Sequence, residues 1–172
     1  MQLRSRRHRL ALALALMASL CSGCSGTPRR PTRSPYEVVL PEVKGGRLDL
    51  AHLKGRVVLV YFFATWCFPC LVEMKTLIAL QNEAEARGFT VVAVGMDLEG
   101  RKVLQPFVDT YRPPFAVLLA DEEVRSGQSP FGRVEALPTT FLIDREGRVD
   151  VAYEGPADPL QLQRRIDQLL GR

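Results

Sequence analysis

Cys67 and Cys70 are separated by two residues in the stretch Trp66-Cys67-Phe68-Pro69-Cys70. Two cysteines at this spacing can be half of a zinc site, a structural disulfide or a thiol–disulfide couple. A zinc site needs about four nitrogen or sulfur ligands. The chain has 4 cysteines and 2 histidines, but Cys21 and Cys24 fall in an apolar leader and His8 precedes it. His52 is the one imidazole left beside the pair, so no metal site is expected. A CxxC bridge is also a poor staple, because closing so short a loop removes little entropy from the unfolded chain. A redox couple is the reading that fits.

The flanking residues decide where such a couple would sit. Residues 56–63 form a continuous apolar, β-branched and aromatic run, which predicts a strand buried on both faces. Downstream, Leu71, Met74, Leu77, Ile78 and Leu80 recur at helical spacing and Gly88 is a plausible end, so residues 67–87 are expected to be an amphipathic helix. The apolar stripe of that helix reads as ordinary core. The pair therefore lies where a central strand turns into a helix. Unpaired N–H groups and the positive end of the helix dipole favour a thiolate there. A cysteine so placed can have its pKa lowered from about 8.5 to roughly 7 or below. Cys67 is then the expected attacking sulfur and Cys70, one turn deeper, the resolving one. Pro69 suits a first turn, where no N–H is needed, and Trp66 is expected to shield one side of the pair. Glu73 stands three residues beyond Cys70, on the same helical face. By position alone it reads as a solvated acid at the helix start, favourable to the dipole. His52, in a polar turn, reads as incidental.

Other elements follow from punctuation. Residues 36–43 and 47–53 flank Lys44-Gly45-Gly46, a hairpin signal. A second buried strand is expected over 89–95, a helix over 100–112 ending before Pro113-Pro114, and a short strand over 115–119. Residues 139–143 and 148–153 flank the turn Asp144-Arg145-Glu146-Gly147, and Asp158-Pro159 supplies the cap and first residue of a last helix. The order ββ-β-α-β-α-β-ββ-α predicts an α/β fold: a mixed central sheet with helices on both faces and an N-terminal β-hairpin extension.

Residues 1–23 read as a signal peptide of the lipoprotein type. A basic stretch precedes an apolar run of about 11 residues, far short of the roughly 20 needed to span a bilayer. Ser22-Gly23-Cys24 resembles a lipobox, with Cys24 the expected lipidation site. Residues 24–35 combine Gly, Ser, Pro and Arg without an apolar side chain and read as an extended tether. The folded domain is expected over 36–172. The net charge of +4 is carried by the four arginines of the leader; three more precede residue 36, which leaves the domain at about −3. That balance gives no support to nucleic-acid binding.

FFATWCFPCLVEM and ALPTTFLIDREGRV, in that order, resemble the thioredoxin superfamily and, within it, the membrane-tethered TlpA/ResA-like thiol–disulfide oxidoreductases of bacterial envelopes. The resemblance implies a thioredoxin-like fold and a redox-active Cys67–Cys70 disulfide, with no further cofactor. It implies a cis Pro138 against the pair, with Trp66, Phe68, Pro69, Leu137 and Thr139 meeting the client and Leu137 and Thr139 offering it backbone contacts. It assigns Glu73 a proton-shuttle role. It implies a protein facing the periplasm, clients such as apocytochrome c or other disulfide-containing envelope proteins, and electrons from a membrane thiol reductase. Two positions depart from the pattern: Tyr61 stands where thioredoxins have a buried aspartate, and Lys75 where many relatives have a helix-kinking proline. Proline beside the second cysteine, and no histidine in the spacer, point to a reductant. A disulfide-forming oxidase stays open. A thiol peroxidase lacks its Pro-x-x-x-Thr-x-x-Cys pattern, since Thr65 is two residues from Cys67, and a metallochaperone-like binder lacks a downstream histidine.

Overall fold

A computed structural model describes residues 33–171. The signal peptide expected over 1–23, Cys24 and most of the tether lie outside the described residues.

The core is a five-stranded sheet ordered β5-β4-β3-β6-β7, comprising β3 (Val57–Phe63), β4 (Phe89–Gly95), β5 (Ala116–Leu119), β6 (Thr139–Ile143) and β7 (Val149–Glu154). β3, β4 and β5 pair in parallel, while β6 and β7 run antiparallel to close the other side. Every residue of β3 is buried, as its unbroken apolar run predicts. The N-terminal hairpin is present as β1 (Val39–Pro41) and β2 (Arg47–Asp49).

The two faces are covered differently. Val57, Leu59, Tyr61 and Phe63 point into one cluster with Met74 and Leu77 of α1 (Phe68–Ala84), Leu104 and Phe107 of α2 (Arg101–Tyr111), and Leu162 and Ile166 of α4 (Pro159–Leu170). Val58, Val60 and Phe62 point into the other, with Tyr36, Leu40, Leu50 and Phe131. The expectation of helices on both faces holds for the second only through Val124 of α3 (Glu122–Arg125). The N-terminal extension does most of that covering. α3 spans one turn, too little for a periodic signal, and forms because the Asp121 side chain accepts from the Val124 amide at 3.0 Å.

The domain starts upstream of the expected boundary. Ser34 and Glu37 form a capping box around a short 3₁₀ turn, and Pro35 and Tyr36 are buried. Tyr36 lies so close over Gly147 that a Cβ there would meet its ring at 2.3 Å. Residues 33–35, read as tether, therefore belong to the folded body.

Candidate active site

Three chain segments meet at the C-terminal edge of β3. The first is the strand-to-helix junction. Cys67 is the N-cap of α1, and its sulfur accepts from the Cys70 amide at 3.3 Å. The two cysteines are joined as a disulfide with their Cα atoms 5.2 Å apart. Cys70 is 0% exposed and Cys67 5%, so solvent reaches the pair through Cys67 alone. Cys67 is thus the more exposed of the two, though far less open than a residue at a helix start suggests. Trp66 and Phe68 are 72% and 74% exposed, and Pro69 is exposed as well. Trp66 and Phe68, on either side of Cys67 in the chain, thus present open apolar surface. α1 runs without interruption past Lys75 to Ala84.

A residue that sequence reasoning missed holds this junction. Asp97, 1% exposed just beyond β4, accepts from the Thr65 amide at 3.0 and 3.1 Å and from the Thr65 hydroxyl at 2.6 Å. Arg125 of α3 donates to the Asp97 carbonyl at 3.0 Å. The Trp66-Cys67 turn is thus pinned from the neighbouring strand. The available signal was an acid directly after a buried strand, at the sheet edge where sites of open α/β sheets gather.

The second segment lies beneath Cys70. Glu73 is 7% exposed, on the buried side of α1 with Cys70, Met74 and Leu77, so it is not the solvated acid that position alone allowed. Its Oε1 accepts from the Ala157 amide at 3.1 Å, while Oε2 is buried and unpartnered among the described residues. Burial pushes the Glu73 carboxyl above the ordinary carboxylate range, and the Ala157 N–H and the Tyr61 phenol offset this only in part. Tyr61, fully buried in β3, donates its hydroxyl to the Cys70 carbonyl at 3.1 Å. Burial foremost, then the Glu73 charge, holds its phenol protonated.

The third segment is the loop before β6. Leu137-Pro138 is a cis peptide bond. Thr139 stands opposite Phe62, so Pro138 is level with Phe63, at the edge where the cysteine-bearing turn leaves the sheet. The Pro138 carbonyl accepts from Gly155 at 2.8 Å, whereas Leu137 makes no backbone hydrogen bond among the described residues. Thr139 departs from expectation. It is buried within the sheet between Phe62 and Glu154, and its hydroxyl donates to the Ala136 carbonyl at 2.8 Å. The strand begins one residue too early for Thr139 to offer its backbone to a client; Leu137 alone is free to do so. His52 lies in an exposed turn ahead of β3, away from the edge that carries the cysteines.

Residues 34–152 match the family model described as the AhpC/TSA family. The chain belongs to the AhpC/TSA family. It is 30% identical over 130 residues to the thioredoxin-like protein YneN of Bacillus subtilis, covering 74% of each chain. It is 34% identical over 127 residues to the thiol-disulfide oxidoreductase ResA of Bacillus thuringiensis, covering 73% of this chain and 70% of that one. Among solved structures, a thiol:disulfide interchange protein of the thioredoxin family from Chlorobium tepidum superposes with a TM-score of 0.70 at 31% identity, covering 83% of this chain and 98% of that one. Together with the Cys67–Cys70 pair, these make the chain a TlpA/ResA-like thiol–disulfide oxidoreductase of thioredoxin-like fold.

Proposed function

We propose that this oxidoreductase works as a lipid-anchored reductant of protein disulfides in the bacterial cell envelope. The observation that carries the reading is the asymmetry of the pair: Cys67 caps the helix at the surface, and Cys70 is buried above an unsolvated Glu73. The Cys67 thiolate attacks one sulfur of a client disulfide, and the other client sulfur leaves as a thiolate. The Cys70 thiol passes its proton to the Glu73 carboxylate. The Cys70 thiolate then attacks the Cys67 sulfur, the client's second sulfur departs, and two electrons have moved to the client as Cys67–Cys70 becomes a disulfide. A membrane thiol reductase returns the electrons.

Trp66, Phe68 and Pro69 form an apolar rim for an extended client segment, and the free amide and carbonyl of Leu137 beside Pro138 hold its backbone. Apocytochrome c, or another disulfide-containing envelope protein, would be such a client. The Thr65 hydroxyl is committed to Asp97 rather than turned to a substrate at Cys67, which disfavours peroxide chemistry. The Phe68-Pro69 spacer supports the reducing direction. It is tested by the midpoint potential of the pair, near thioredoxin's roughly −270 mV for a reductant and about −120 mV for a strong oxidant.

Lipidation at Cys24 would leave residues 24–32 as the tether, with a reach of at most about 30 Å at 3.3–3.6 Å per residue. The active edge would then stay close to the membrane and its reductase. No helix among the described residues is long and apolar enough to cross a membrane. Mass spectrometry of the mature protein should find an acylated N-terminal Cys24. An intact leader, or a free N-terminus elsewhere, would remove the anchor and leave the redox chemistry untouched.

A further inference from the structure

Tyr61 and Glu73 present a mismatch of donors and acceptors under Cys70. Glu73 Oε2 is a buried carboxylate oxygen with no donor among the described residues. Tyr61 is a buried hydroxyl whose hydrogen bond goes to the Cys70 carbonyl at 3.1 Å. That carbonyl lies in the first turn of α1 and also takes the amide four residues on in the helical ladder, so it does not depend on Tyr61. The bond from Tyr61 to Cys70, three residues before Glu73 on the same buried side of α1, sets the phenol beside the Glu73 carboxyl, and hydrogen bonding between the two is among the influences on both groups' protonation.

We propose that Tyr61 is a positioning residue for proton transfer at Cys70, its hydroxyl turning from the Cys70 carbonyl to Glu73 Oε2 when Glu73 ionises. The proposal rests on the shuttle role of Glu73. A buried carboxylate left with an unsatisfied oxygen is heavily penalised. Without a second donor beside Ala157, ionising Glu73 would be more costly and it would take the Cys70 proton less readily. With Tyr61, the ionised state has two donors, the Ala157 amide on Oε1 and the phenol on Oε2. When the proton arrives from Cys70, Glu73 becomes neutral and Tyr61 returns to the carbonyl, the arrangement seen in the oxidised protein. Tyr61 itself neither gains nor loses a proton.

The groups that face Glu73 are few. Tyr61 comes from β3, Cys70 from the same side of α1, and the Ala157 amide from the loop before α4. No lysine, arginine or histidine among the described residues adds to burial, the amide and the phenol as influences on it.

The resolving step can be followed as the second thiolate released from an aromatic disulfide substrate, across pH 5 to 9. Tyr61→Phe keeps the ring that stacks on Phe63 at 6.0 Å between centroids and removes only the hydroxyl. Its pH–rate limb should move upward by about one to two units, slowing the step about tenfold to a hundredfold below the limb. In a Glu73→Gln background, Tyr61→Phe should change nothing more. A Tyr61→Phe profile that overlays the native one, while Glu73→Gln still moves it, overturns the Tyr61 assignment and spares the shuttle. So does a shift of equal size in the Glu73→Gln background, since the hydroxyl would then act on the backbone alone. If Glu73→Gln itself leaves the profile unchanged, the shuttle falls and the Tyr61 proposal with it.

Discussion

Cys70→Ser should trap client proteins as mixed disulfides that persist until an external thiol is added, and Cys67→Ser should trap none. Cys67 is the sulfur that solvent can reach, and it caps the helix where the Cys70 amide points at it. Cys70 is fully buried and can meet only a sulfur already attached at Cys67. Removing Cys70 therefore leaves attack intact and abolishes resolution, so turnover stops with the client attached. Removing Cys67 stops turnover before any adduct forms. Non-reducing electrophoresis of both variants from the same cells reads the difference. Adducts on Cys67→Ser, and none on Cys70→Ser, would reverse the roles.

Glu73→Gln should slow disulfide exchange by about a hundredfold or more near neutral pH, the range general acid–base groups contribute. It should also remove the limb that Glu73 imposes on the pH profile. The same substitution should raise stability at alkaline pH. The folded-state pKa of Glu73 lies above its unfolded value of about 4.3, so the folded chain holds this proton to higher pH than the unfolded one. Native stability therefore falls as pH rises from the ordinary carboxylate range through the raised value, and glutamine does not titrate. The variant should melt higher than the native protein at pH 8 and converge with it near pH 4, where both side chains are neutral. A slower enzyme that is also more stable marks Glu73 as a functional acid. Equal rates and equal melting at both pH values would reduce it to packing.

The cysteine-bearing junction was legible because two periodicities meet there. The apolar run 56–63 has no helical gap, and Leu71 to Leu80 repeat as a helix does. Caps were legible for the same local reason: Asp158 accepts from Gln161 at 2.8 Å, and Gly88 takes the left-handed backbone, φ +92°, that ends the turn after α1. What escaped depends on residues far apart in the chain. Thr65 and Asp97 are separated by 32 positions, and nothing around either one announces the pairing. Tyr61 reads as core in a buried strand, and its polar end matters only because α1 lays Cys70 and Glu73 over it. Arg33 to Pro35 looked like tether because their composition is that of a linker, yet Ser34 meets Glu37 in a cap and Pro35 packs under the domain.

Cys67–Cys70 should behave as a working couple rather than a fixed bridge. A redox titration of the purified protein against dithiothreitol or glutathione buffers, with thiols counted by alkylation and mass spectrometry, tests it most directly. A single reversible two-electron transition at Cys67 and Cys70, near thioredoxin's roughly −270 mV, is the predicted result. A pair that stays oxidised in excess dithiothreitol would make it a structural disulfide, and a midpoint close to −120 mV would make it an oxidant; either contradicts the account.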